Sequence, residues 1–358
     1  MDILTLKKAG KNAESLIRPI YEDKYGLTYS LDNTLYRNPT MDTVWSYNDN
    51  PVDFARTSVS YDSVGGEVSA DSPVYEPFNL RGLSGLRVAP NTINLFNEPN
   101  SLSFDSPQTI NLSAGNYTIS IKAGTGKLVV TGAVAGEVES GGCFSFNLGS
   151  AEDVTFTPTD GIPELAQLEA LPYKTPWQKG GVNRTVDSPR WFVPQDTLIS
   201  EYGFGLLFRP YIDSSDYHNN EHWLVYGRKD AQTYFRLFYS TTFQRFSFQH
   251  VLNGDIKTTN TAPISFIPNE LLGVYVHVIP SVGVFLYASQ NDSVYIFENK
   301  DDSLSALGMG VNHISLGHRL RALNQRDFAT NMLFSSARIE IAPRHTPNPQ
   351  RYFREVLG

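Results

Sequence analysis

Tyr202-Gly-Phe204-Gly-Leu206-Leu-Phe208, Glu221-His-Trp-Leu-Val-Tyr226, Tyr234-Phe-Arg-Leu-Phe-Tyr239 and Arg245-Phe-Ser-Phe-Gln-His250 alternate apolar with polar residues over four consecutive stretches. Period-two alternation bounded by turn residues is the mark of strands that bury one face. Tyr202, Phe204, Leu206 and Phe208 share a face of the first stretch; Trp223 and Val225 oppose His222, Leu224 and Tyr226 in the second. Phe235, Leu237 and Tyr239 share a face in the third, and Phe246, Phe248 and His250 in the fourth, with Arg245, Ser247 and Gln249 pointing the other way. Asn253-Gly254 then closes a hairpin, because both residues tolerate the positive φ of a type I′ turn. The expected class is all-β: tandem antiparallel β-sandwiches of jelly-roll type, preceded by an extended N-terminal arm.

Working outward, 358 residues suggest more than one core, and 41% hydrophobic residues can fill them. Aromatic residues reach 12% while charged residues are only 18%, a balance that favours strands over surface helices. The net charge of −8 argues against a phosphate-backbone partner, which calls for a basic face. No run approaches a membrane span, and Met1–Ser15 carries lysines without a following apolar stretch, so neither membrane insertion nor a cleaved leader is expected. Cys143, the single cysteine, excludes an intramolecular disulfide and reads as a small core residue.

The divisions expected are a docking arm over 1–50, a linker with short strands over 51–100, and a small β-sandwich over 101–175. A connector follows over 176–190, then a concanavalin-like sandwich over 191–342 and a tail over 343–358. In the arm, Leu6, Ala9, Ala13, Leu16, Ile17 and Ile20 sit at near-helical spacing until Pro19 interrupts it. In the small module, short strands such as Tyr117–Ile121, Lys127–Val130 and Val154–Thr157 alternate with glycine-bearing turns.

Phe54-Ala-Arg-Thr-Ser-Val-Ser-Tyr-Asp62, followed by Pro73-Val-Tyr75, Arg81-Gly-Leu83 and Asn94-Leu-Phe96, resembles the linker of tailed-bacteriophage fibre and spike proteins. Tyr117–Gly124 is similar to the first strand pair of the carbohydrate-binding-type jelly roll that follows in that family, and Ala166–Pro176 to its last strand. A concanavalin A-like or laminin-G-like sandwich commonly comes next. The resemblance implies a virion protein assembled in the host cytoplasm, in a tail fibre, a baseplate or a capsid decoration. Implied partners are other phage structural proteins, further copies of itself, preferably as a trimer, and host surface polysaccharide.

Sugar binding needs aromatic faces for C–H groups and planar side chains for hydroxyls. Tyr211, Tyr217, Trp223, Tyr226, Arg228 and Tyr234 are the best-supplied group; the alternative is that most are core aromatics. Asp213, Asp216 and Asn219 offer hard oxygen ligands for calcium, or form an ordinary turn. His218-Asn-Asn-Glu221-His222 spells H-x-x-E-H, yet its flanks predict a turn entering a strand, where the two imidazoles do not converge. No glycosidase acid pair and no G-x-S-x-G is present, so no catalytic residue and no obligatory cofactor is expected.

Overall fold

The computed structural model describes residues 27–31, 52–62, 64–77, 84–97, 102–192, 204–211, 221–264, 273–280, 282–290, 293–300, 311, 313–322, 325–329 and 332–341. All regular structure among them is β. The first part of the chain gives β1 (Leu27–Leu31), β2 (Val52–Ala55), β3 (Ser60–Tyr61), β4 (Glu67–Val68), β5 (Val74–Pro77), β6 (Ser84–Val88) and β7 (Thr92–Ile93). The small module holds β8 (Gln108–Leu112), β9 (Gly115–Gly124), β10 (Lys127–Gly132), β11 (Gly136–Glu139), β12 (Cys143–Leu148), β13 (Glu152–Thr159) and β14 (Pro163–Glu169). After β15 (Asn183–Arg184) and β16 (Ser188–Phe192) come β17 (Phe204–Tyr211), β18 (Glu221–Arg228), β19 (Tyr234–Ser240), β20 (Arg245–Leu252), β21 (Asp255–Asn260) and β22 (Gly273–Ile279). The last six are β23 (Gly283–Gln290), β24 (Ser293–Lys300), β25 (His313–Leu316), β26 (His318–Ala322), β27 (Gln325–Ala329) and β28 (Met332–Ile341).

Two sandwiches result. The small one packs a four-stranded sheet, β11-β10-β13-β8, on a three-stranded sheet, β12-β9-β14. Its core joins Ile119, Ile121, Leu128, Val130, Val154, Phe156 and Leu168, with Phe96 and Phe104 edge-on at 4.7 Å. The large one packs a seven-stranded sheet, β2-β16-β25-β18-β19-β20-β21, on an eight-stranded sheet, β24-β23-β22-β17-β28-β6-β5, with β1 also paired to β28. Phe204, Leu206 and Phe208 from one layer meet Leu237, Tyr239 and Phe248 from the other, as the alternation requires. The Asn253-Gly254 turn has φ of 50° and 89°, the left-handed values its sequence predicts.

Three strands of the segment expected as a linker join the sheets of the large sandwich, while β3 pairs with β4 and β7 with β15 in small sheets of their own. β2 pairs with β16, while β5 and β6 extend the sheet beyond β28. Within the expected arm, β1 lies antiparallel to the C-terminal half of β28, from Leu27 opposite Ile341 to Leu31 opposite Ala337. Such pairings are non-local, so spacing along the chain does not reveal them. The helical pattern in residues 6–20 and the tail over 343–358 lie outside the described residues.

Where the chain leaves the large sandwich for the small one and returns, charge is buried. Arg56 donates to Asp187 Oδ1 at 3.1 Å and to the carbonyl of Ser69 at 2.8 Å, and Arg184 donates to Asp187 Oδ2. All three side chains are fully buried. Asp187 also accepts from the amide of Ala89 at 3.0 Å, which ties β6 to this knot. Cys143, expected in a core, is exposed at the start of β12, because Phe146 and Leu148 take the inward positions.

Candidate functional site

The face of the seven-stranded sheet turned away from the core carries the site. Leu237, Tyr239, Phe246 and Phe248 point inward, so Arg236, Phe238, Arg245, Ser247 and Gln249 point outward by alternation. On β18 a bulge interrupts the pairing between Trp223 and Val225. Leu224 and Val225 therefore both enter the core, and Trp223 and Tyr226 both emerge on the outer face. The sequence pattern set Trp223 with Val225 and Tyr226 with Leu224; the extra residue of the bulge overturns both pairings.

Trp223, Tyr226 and Phe238 form a compact aromatic group on this face, with Tyr234 half-buried against it. Ring centroids are 5.7 Å apart for Trp223 and Tyr226, 5.5 Å for Tyr226 and Tyr234, and 6.4 Å for Trp223 and Phe238. Arg236 lies across this group. Its guanidinium carbon is 4.7 Å from the centroid of Trp223 and 4.7 Å from that of Phe238, within cation–π range of both rings. Arg236 Nε donates to Gln249 Oε1 at 2.8 Å and Nη1 reaches Glu221 Oε2 at 3.5 Å, while Trp223 Nε1 donates to that same oxygen at 3.2 Å. Gln249 Nε2 in turn donates to Thr258 Oγ1 at 3.3 Å on β21. Tyr226, Arg236, Gln249 and Thr258 stand side by side across four strands, with Ser315 opposite Tyr226 on β25.

Four of the expected sugar-binding residues meet here: Trp223, Tyr226, Arg228 and Tyr234. Their roles differ from expectation, since Trp223 keeps 6% of its surface and Tyr226 4%. These rings form a bed for Arg236 rather than an open stacking platform. Tyr211 does not join them; it sits in β17 of the other sheet, opposite Leu333. Tyr217 and the expected calcium ligands Asp213, Asp216 and Asn219 lie outside the described residues. Among the described residues no group of three metal-ligating side chains occurs. Arg236, Glu221 and Gln249 were missed by sequence reasoning, although their outward register beside aromatic positions was available as a signal.

Of the H-x-x-E-H motif, the described part is Glu221 and His222, adjacent on a strand and hence on opposite faces. His222 is turned inward opposite Tyr239, is fully buried, and has no hydrogen-bond partner on either ring nitrogen. Burial pushes its pKa down to about 4, so the ring is neutral at pH 7.

No family model and no curated protein matches the chain. Among solved structures it is similar to the CBM40 module of the Ruminococcus gnavus IT-sialidase bound to sialyllactose, at 14% identity and TM-score 0.31, over 38% of this chain and 75% of that one. It is similar to the NanB sialidase from Streptococcus pneumoniae at 12% identity and TM-score 0.32, over 39% of this chain and 22% of that one. The binding domain of botulinum neurotoxin DC in complex with rat synaptotagmin II matches at 11% identity and TM-score 0.34, over 46% and 38%. The chain thus spans under a quarter of the NanB structure.

Proposed function

We propose that this protein is a glycan-binding subunit of a tailed-phage virion and that the outer face of β18–β21 is its recognition surface. The observation that carries the binding reading is Arg236, a planar donor held over both Trp223 and Phe238 on the outer face of the sheet. A purely solubilising face needs no such construction. Fixed planar donors suit the hydroxyls at the edge of a pyranose, and the half-buried ring of Tyr234 is the one aromatic of the group with surface left for its C–H groups. The half-buried Tyr234 and Arg228, directly opposite each other, extend the surface along the strands. The virion assignment rests on the order of motifs from Phe54 to Phe96. In such a particle several copies, preferably three, let one weak site gain avidity, and no catalytic step is required.

The second reading is a purely structural virion subunit that binds only protein, and the deep burial of Trp223, Tyr226 and Phe238 favours it. A glycan array probed with the full chain and with Tyr234→Ala and Arg236→Ala separates the two. Binding that falls about tenfold in both variants supports recognition at this face. An array without signal sinks it in favour of the structural reading, and release of reducing sugar from a bound polysaccharide would convert the protein into an enzyme.

A further inference from the structure

We infer that the saccharide recognised by this face is an acidic one, bearing carboxylate groups, and that Arg236 reads the carboxylate. The inference rests on the glycan reading above and narrows it to a ligand class. Its first support is a local reversal of charge. The chain carries −8 overall, yet the outward positions of β18–β21 hold three arginines, Arg228, Arg236 and Arg245, against one carboxylate, Glu221. A neutral ligand needs no cationic excess, whereas an anionic one gains both attraction and faster encounter from it.

The second support is what Arg236 still has to give. Nε is committed to Gln249, and Nη1 has only the 3.5 Å contact with Glu221. Nη2 has no acceptor among the described residues, and the side chain keeps 19% of its surface in solvent. Glu221 is a weak neutraliser: it is 38% exposed, stands at the edge of hydrogen-bond range and is shared with Trp223 Nε1. Stacking over two rings fixes the guanidinium plane before any ligand arrives. Little side-chain freedom is then lost when its outer edge meets a carboxylate, the anion whose two oxygens match a planar pair of N–H groups. Arg245, stacked 4.8 Å from the exposed Phe243 ring at the β19–β20 turn, provides a second cation on the same face for the next acidic unit of a polymer.

The test compares binding of the full chain to alginate, hyaluronan, polygalacturonate and colominic acid with binding to the same polymers after carbodiimide activation of their carboxylates and borohydride reduction to alcohols. Preference of about tenfold or more for an acidic form, weakening as salt rises, is expected. Arg236→Gln should abolish that preference, and Arg236→Lys should restore little of it, because an ammonium lacks the planar pair. Thermal melts of each variant control for folding, and the reduced-polymer arm uses unaltered protein. Equal binding of acidic and reduced polymers overturns the acidic inference and leaves glycan recognition standing. Dextran sulfate bound as tightly by Arg236→Lys as by the wild type also overturns it, as bare polyanion attraction. Failure of every saccharide to bind sinks both readings together.

Discussion

The two sandwiches share one rule of construction and present opposite outer surfaces. On the small one, the face of β8, β13 and β10 turned from the core is a lattice of short polar groups: Thr109 and Thr155 hydrogen-bond at 2.8 Å, Asn111 donates to Asp153 at 2.7 Å, and Lys127 pairs with Glu137 at 2.9 Å. Nothing there is larger than a lysine stem, and each pair satisfies itself across the strands. On the large one, the equivalent face of β18–β21 carries Trp223, Tyr226 and Phe238 beneath Arg236. A sheet that needs only solubility is adequately covered by threonine and asparagine. Large aromatic rings under a cation are not needed for solubility, and that difference is the reason the recognition surface is proposed on the second sandwich.

The largest effect should come from breaking the charge knot buried where the chain leaves the large sandwich and returns to it. Asp187 is the buried partner of both Arg56 and Arg184, whose guanidinium groups have no other carboxylate within hydrogen-bond range among the described residues. Asp187→Leu leaves two guanidinium groups buried and uncompensated, a loss of about 3–5 kcal/mol. Chemical denaturation should show a matching fall, accompanied by faster amide exchange in residues 56–71 and 183–190 before either core opens. A single simultaneous transition with unchanged exchange in those residues would mean that the knot does not hold these crossing segments in place.

Mild acid should push the two cores in opposite directions. His222 in the large sandwich has a folded pKa near 4 against an ordinary 6.5, so the unfolded chain takes up the proton first. Its contribution is present above about pH 6.5 and is lost as pH falls toward 4, by about 3 kcal/mol in full. Glu169 in the small sandwich behaves the other way: burial raises its pKa, against hydrogen bonds from Thr175 and Thr92. Its folded form holds the proton more tightly, so its contribution is present below the ordinary carboxylate pKa and is lost as pH rises through the folded value. Hydrogen exchange at pH 7 and pH 5, corrected for intrinsic rates, should show β18–β20 losing protection while β9 and β14 do not. His222→Leu should remove the acid sensitivity of the first set; if it persists, another group is responsible.

Much of this contrast was legible in the sequence because alternation is local. The inward sets Phe235, Leu237, Tyr239 and Phe246, Phe248 stand where their spacing placed them, and Asn253-Gly254 turns as its chemistry requires. Three kinds of information were not local. The bulge at Trp223–Val225 adds one residue to a strand whose composition does not announce it, and it exchanges the faces of everything on one side. Pairing of β2 with β16 and of β6 with β28, each more than a hundred residues away, depends on the finished sheets. Arg236 owes its importance to rings on its own and a neighbouring strand, a relation visible only once β18 and β19 are in register.

The smallest effect sharpens the comparison at one repeated detail, a glycine beneath a phenylalanine ring in each sandwich. A Cβ built on Gly227 would come within 2.3 Å of Phe235 Cζ, and one on Gly136 within 2.6 Å of Phe144 Cζ. The two contacts look alike, but their surroundings decide what happens next. Phe235 is fully buried, directly opposite Gly227, and packed at 5.2 Å from Phe204 and 6.0 Å from Phe248. Its ring cannot swing aside without displacing the inner layer, so Gly227→Ala should cost about 1–3 kcal/mol. Phe144 is only partly buried at the rim of the small core, where rotation toward solvent relieves the contact, and Gly136→Ala should cost less than about 1 kcal/mol. Equal losses in denaturant midpoints would show that the rim of the small sandwich is as rigid as the centre of the large one. Because Gly227 lies between Tyr226 and Arg228 on β18, its variant also reports whether the proposed glycan binding tolerates a shift of that strand: stability and affinity falling together would tie the outer surface to the packing beneath it.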